Sequence, residues 1–147
     1  MKAKDFLSRQ QQERLVSAIK EAEKNTSGEI RVHIDDTCSG DPIERAGQVF
    51  RFLHMDRTAL RNGVLIYVAC GSKVFAIIGD KGINEAVPEG FWNEVKENMA
   101  GHFRKGEFAE GLEEAVLAVG SKLKSYFPYR EDDVNEQPDD ISFGNQR

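Results

Sequence analysis

Residues 61–80, RNGVLIYVACGSKVFAIIGD, decide the fold. Val64 to Ala69 is an unbroken β-favouring run, Val74 to Ile78 is a second, and Cys70-Gly71-Ser72-Lys73 is a short, Gly-containing turn between them. Runs without polar alternation read as strands covered on both faces, so the hairpin is expected inside a sheet with helices above and below it. Each run is too short, and too rich in Val and Ile, for a buried helix. The stretch ends in Gly79-Asp80-Lys81-Gly82, which leaves a carboxylate where the chain quits the sheet.

Upstream, Ser8-Arg9-Gln10-Gln11 has the form of a capping box, and Leu15, Ile19 and Ala22 follow at helical spacing, which predicts a helix over 9–24. Asn25-Thr26-Ser27-Gly28 breaks it. From Glu29 to Asp35 the pattern alternates, with Ile30, Val32 and Ile34 on one face and Arg31, His33 and Asp35 on the other. That predicts a strand with one wet face near an edge of the sheet. Asp41 as N-cap, Pro42 in the first turn and Glu44 completing a box start a second helix, with Ile43, Ala46, Phe50 and Leu53 as its buried face. Strand, helix and Val64–Ala69 then make a β-α-β unit with parallel strands and a right-handed crossover.

Downstream, Pro88 and Glu89 open a third helix carrying Trp92, Val95 and Met99 on one side, with Gly101 as its stop. Phe108, Leu112, Ala115, Val119 and Leu123 are the stripe of a fourth, over 107–125. Together these elements predict an α/β fold: a three-layer α/β/α sandwich with a small mixed β-sheet covered by helices on both faces. Three strands are legible.

The chain has 147 residues, 39% hydrophobic and 31% charged, the makeup of one globular domain. Its net charge of −5 is unevenly placed. Residues 131–140 contribute −6 without a Lys or Arg, so the remainder carries +1. A near-neutral body offers no electrostatic footprint for nucleic acid. The expected division is a domain over 1–128 and an acidic, partly disordered tail over 129–147, whose Ile141-Ser142-Phe143 is apolar enough to dock on the body. The opening MKAKDFLSRQQQERL lacks the apolar core of a signal peptide, and no stretch approaches a membrane span. The expectation is a cytoplasmic monomer. Cys38 and Cys70 fit a reducing compartment and match no disulfide framework or zinc spacing.

Topology brings distant residues together. With the first two strands parallel and the next two in a hairpin, Glu29, the loop Asp56–Asn62 and Asp80 share one rim of the sheet. Carboxylates of Glu29, Asp56 and Asp80 with the Asn62 carbonyl are hard oxygen ligands that suit Ca²⁺ or Mg²⁺, and Asn84 and Glu85 can add to them from the next loop. The plainer alternative is that Glu29 and Asp80 cap helices or pair with Arg57 and Arg61. Asp35, Asp36 and Asp41 form a second acidic group at the opposite rim, beside Cys38 and Cys70, where Asp41 already has a capping role.

No catalytic constellation stands out. His33, His54 and His102 form no helical metal pair, and no Ser sits in a nucleophile elbow. Cys38 and Arg45 superficially resemble the Cys-x5-Arg loop of cysteine phosphatases, but six residues intervene and Asp41-Pro42 interrupt the loop. Asp35-Asp36-Thr37 after a strand is a faint aspartyl-phosphatase signal. Gly101, Gly106 and Gly111 are spaced wrongly for a phosphate loop.

Ser27-Gly28-Glu29-Ile30-Arg31-Val32, Arg61-Asn62-Gly63-Val64-Leu65-Ile66-Tyr67-Val68 and Phe75-Ala76-Ile77-Ile78-Gly79-Asp80-Lys81-Gly82-Ile83 resemble the TPM domain family. Gly106-x4-Gly111 before an apolar helix fits as well, and the resemblance runs from about Phe6 to Phe127. It implies an α/β/α sandwich, a fourth strand, a divalent-metal site and, by analogy with a plant relative, weak acid phosphatase activity. Three functions follow for testing: a Ca²⁺- or Mg²⁺-responsive binding or regulatory module with an unidentified protein partner, a weak metal-dependent phosphatase, or a structural interaction domain with an acidic docking tail.

Overall fold

The hairpin forms where the two apolar runs require it. In the computed structural model, which describes residues 2–129 and 141–144, β2 (Gly63–Ala69) pairs antiparallel with β3 (Val74–Gly79) and parallel with β1 (Glu29–Asp35). Every residue of β2 is buried, and each such Val, Leu or Ile contributes about 2 kcal/mol by leaving water. A fourth strand, β4 (Ile141–Gly144), adds in parallel to the other side of β1, so the order across the sheet is β3-β2-β1-β4. The apolar segment expected to dock on the body therefore docks as a strand.

That addition corrects the reading of β1. It is an interior strand, because β4 covers its outer edge. Its polar face is also not wet: His33 and Asp35 are buried, held by hydrogen bonds to each other and to neighbouring strands. Alternation identified the two faces correctly, but buried polar partners keep one of them dry.

Among the described residues, five α-helices flank the sheet. α1 (Arg9–Glu23) begins with the predicted capping box, Ser8 accepting from the Gln11 amide and the Gln11 side chain accepting from the Ser8 amide. α2 spans Pro42–Phe52, α3 Lys81–Ala86, α4 Asn93–Arg104 and α5 Phe108–Leu123. The main core joins α1, α4 and α5 to Ile30, Val32, Ile34, Val64, Ile66, Val68 and Ile77. α2 covers the other face, setting Ala46, Val49 and Phe50 against Leu65, Tyr67, Ala69 and Ala76. This is the expected three-layer sandwich.

Several local expectations change. Ile43 is 62% exposed, because the buried stripe of α2 runs through Ala46, Val49 and Phe50 alone. Asp41 does cap α2 as expected, accepting from the Ile43 amide. The helix expected from Pro88 begins only at Asn93, and Gly101 lies inside it. The stop falls instead at Gly106, whose φ of +76° suits a residue without a Cβ. α3 was not legible, being one short turn-rich segment. α1 and α5 meet almost backbone to backbone: a Cβ on Gly120 would lie 2.8 Å from the Ala22 carbonyl oxygen.

The acidic run 131–140, with its expected disorder and docking role, lies outside the described residues. Among the described residues, no helix is long and apolar enough to cross a membrane.

Candidate functional site

The register brings Glu29, Asn62 and Asp80 to one rim, as topology required. Glu29 is level with Gly63, Val64 is level with Gly79, and the Asp80 amide donates to the Gly63 carbonyl at 2.9 Å. The rim is closed by close approach. The Gly82 amide donates to the Arg61 carbonyl at 2.8 Å, and a Cβ on Gly82 would fall 2.3 Å from the Leu60 carbonyl oxygen. Gly79 is equally confined, its hypothetical Cβ 2.7 Å from the Ile83 side chain. The Gly-Asp-Lys-Gly sequence thus has a packing reason at both glycines.

Asp80 fills both roles of the plainer alternative. Its carboxylate accepts two bonds from the Arg61 guanidinium, at 2.7 and 2.9 Å, a bidentate fork. Its Oδ1 also accepts from the Lys81 amide, capping α3. Arg61 itself sits in the left-handed region at φ 51°. Asn62 is buried, its Nδ2 donating to Ser27 Oγ at 3.3 Å and its carbonyl accepting from the Glu29 amide. Asn84 donates through Nδ2 to the Gly79 carbonyl. Asp56 lies half-buried in the turn Met55–Arg57, where its charge acts on Arg61. Glu85 is exposed on α3.

These residues do not fit a resident metal in this arrangement. A guanidinium occupies the oxygens that an ion would need on Asp80, and among the described residues no three of His, Cys, Asp and Glu are grouped to hold one.

At the opposite rim, where Asp35 was expected beside Asp36 and Asp41, Asp35 instead centres a cluster whose partners sequence reasoning missed. Asp35, fully buried, accepts from Arg45 Nε at 2.7 Å and Nη2 at 3.2 Å, and from the Tyr67 hydroxyl at 2.6 Å. Its Oδ1 also lies 2.7 Å from His33 Nε2, while His33 Nδ1 lies 2.7 Å from Ser142 Oγ on β4. Burial alone would raise the Asp35 pKa, but the bonds from His33, Arg45 and Tyr67 outweigh it and hold the carboxyl well below the usual carboxylate range. Burial, then the Asp35 carboxylate, push the Tyr67 phenol above its ordinary value. Asp36 accepts from the Ala3 amide, and Asp41 caps α2, so the acids at this end are structural partners.

The Nε–Nη2 edge of Arg45 is committed to Asp35, which ties this side chain to the buried carboxylate and not to a phosphate loop. The order Ser142–His33–Asp35 is that of a nucleophile, base and orienting acid. Its evident work is to bind β4 to β1, and Gly144 completes the fit: a Cβ there would lie 2.5 Å from Asp35 Oδ1 and 2.7 Å from His33 Nε2. One sequence signal pointed here. A tyrosine inside a buried strand needs a hydroxyl partner, and Tyr67 is level with His33 on the strand whose polar face carries Asp35.

A mixed four-stranded sheet between helical layers, with polar residues gathered at both strand ends, defines a small α/β/α sandwich domain. The chain belongs to the TPM domain family, whose model matches residues 1–122. It is similar to the BA42 protein from the psychrophilic bacterium Bizionia argentinensis, at 46% identity over 97% of this chain and 99% of that one, with a TM-score of 0.91. Two more distant structures share the fold. They are the N-terminal domain of a P. gingivalis protein (22% identity, 86% of this chain and 83% of that one, TM-score 0.67) and that of the cg2496 protein from Corynebacterium glutamicum (13% identity, 95% and 81%, TM-score 0.63). No curated protein matches the chain.

Proposed function

We propose that this TPM domain is a binding module whose Glu29/Asp80 rim responds to Ca²⁺ or Mg²⁺ by competition with Arg61. The observation that carries the reading is the bidentate Arg61–Asp80 pair, set where the ends of three strands converge. The Arg61 side chain is 46% exposed, so it can swing into solvent without unfolding anything. A divalent ion gains Asp80 only by displacing that guanidinium, and the remaining oxygen ligands would have to be recruited from Glu29, Asp56, Asn62, Asn84 and Glu85 by a rearrangement of the rim. The ion is then a regulatory ligand that frees Arg61 and reshapes the 56–62 loop for a protein partner.

Calorimetric titration of chelator-treated protein with Ca²⁺ and with Mg²⁺ tests this. Arg61→Ala removes the competitor and is expected to tighten binding about tenfold, whereas Asp80→Asn is expected to abolish it. Unchanged affinity in both variants would sink the assignment. The phosphatase alternative uses the same carboxylates, and hydrolysis of p-nitrophenyl phosphate that depends on metal and on Asp80 would favour it. The acidic docking tail is the third reading; retention of every partner after loss of the 131–140 charges would remove it.

A further inference from the structure

Next to the Asp35 rim, on the side of α4 and α5, the structure opens a cavity of about 640 Å³ at the β2–β3 turn. Its body is aromatic. Phe6, Phe75, Phe103 and Phe108 all line it, and their rings form one cluster, with Phe6–Phe108 centroids 4.6 Å apart, Phe103–Phe108 5.4 Å and Phe75–Phe103 5.7 Å. Phe75, Phe103 and Phe108 stay only partly buried, so the cluster presents apolar surface to the cavity. A concave apolar site of this size with few polar groups is the usual form of a small-molecule pocket.

The charged groups on its lining are two cations. Lys73 and Arg104 both line the cavity, both are exposed, and neither has a carboxylate partner among the described residues. Lys73 also holds a left-handed backbone, φ 57°, in a turn where glycine would sit without strain. Arg104 ends α4, where the helix dipole welcomes a cation, and that role explains its charge but not its place on an aromatic cavity. Cys70 lines the same space, its thiol pushed up by burial.

We infer that this cavity binds a small amphipathic monocarboxylate, its hydrocarbon body among the four phenylalanines and its carboxylate between Lys73 and Arg104. A planar guanidinium matches a carboxylate with two parallel bonds, and the ammonium supplies a second charge. A polyanion would waste the aromatic lining, and a neutral hydrocarbon would leave the cations unanswered.

Decanoate is the probe. Titration of the full chain by calorimetry is expected to show saturable one-to-one binding, with decyltrimethylammonium, which has the same tail and the opposite charge, failing to bind or compete. The double charge reversal Lys73→Glu/Arg104→Glu is expected to weaken decanoate about tenfold or more while leaving the melting curve in place. Bound decanoate should also slow alkylation of Cys70, read by peptide mass spectrometry, and leave the rate at Cys38 unchanged. Equal binding of both amphiphiles would mean nonspecific apolar adhesion and overturn the proposal. So would affinity confined to phosphatidylglycerol vesicles, or protection of both cysteines alike. Should the double variant melt early, the comparison of the two amphiphiles on the unaltered chain decides the matter.

Discussion

Asp35 is the residue whose loss this fold should feel most among its polar groups. It is fully buried and gathers bonds from a histidine, an arginine and a tyrosine. Truncating one member of a buried charged network leaves the others unanswered. Asp35→Ala is expected to cost about 3 kcal/mol in urea unfolding at neutral pH, and Tyr67→Phe about 1 kcal/mol. The pH dependence has a definite sign. The folded pKa of Asp35 is depressed, so its stabilising contribution is complete above the unfolded value of about 4 and is lost as pH falls toward the folded one. The gap between wild type and Asp35→Ala should therefore narrow only in acid below that value. A gap that closes between pH 6 and 8 would contradict it.

Between elements, two contacts can be tested separately. Gly120 lets α1 and α5 approach, and Gly120→Val would drive a side chain into the Ala22 backbone. Backbone has no rotamer to yield, so the expected destabilisation is about 2–3 kcal/mol, checked by thermal melting. α4 and α5 are also clasped by His102, whose Nδ1 lies 2.8 Å from Glu107 and Nε2 3.1 Å from Glu114. Those two carboxylates raise its pKa. The clasp is therefore fully present below the unfolded value of about 6.5 and is lost as pH rises through the raised one. Titration of the His102 ring by NMR should give a midpoint above 6.5, which Glu114→Gln lowers; an unmoved midpoint would exclude the clasp.

For the whole molecule, what could be read in the chain was whatever repeats or caps locally. The apolar runs of β2 and β3, the Ser8 box, the Asp41-Pro42 start and the stripe of α5 all carry their own periodicity, and all appear in place. The rim was legible too, because register follows from topology. The Asp35 cluster was not: its members come from β1, α2, β2 and β4, and no window of sequence contains the bonds that join them. The same blindness hid the pairing of β4, a four-residue strand with no pattern long enough to declare itself. Exposure of β1 was misjudged because both its edge partner β4 and the polar partners Ser142 and Tyr67 of its buried His33 and Asp35 lie far along the chain.

That distance has a consequence for synthesis. The sheet's neighbours β1 and β4 are separated by 105 residues, 36 to 140. At a translation rate of roughly 5–20 residues per second, β1 leaves the ribosome on the order of 5–20 s before its outer partner exists. Through that interval a strand destined for the interior has bare amides and carbonyls along one side, open to the same strand of a neighbouring nascent chain. The half-finished protein is therefore at its stickiest on the polysome, and Ile141–Gly144 is the piece that ends the exposure.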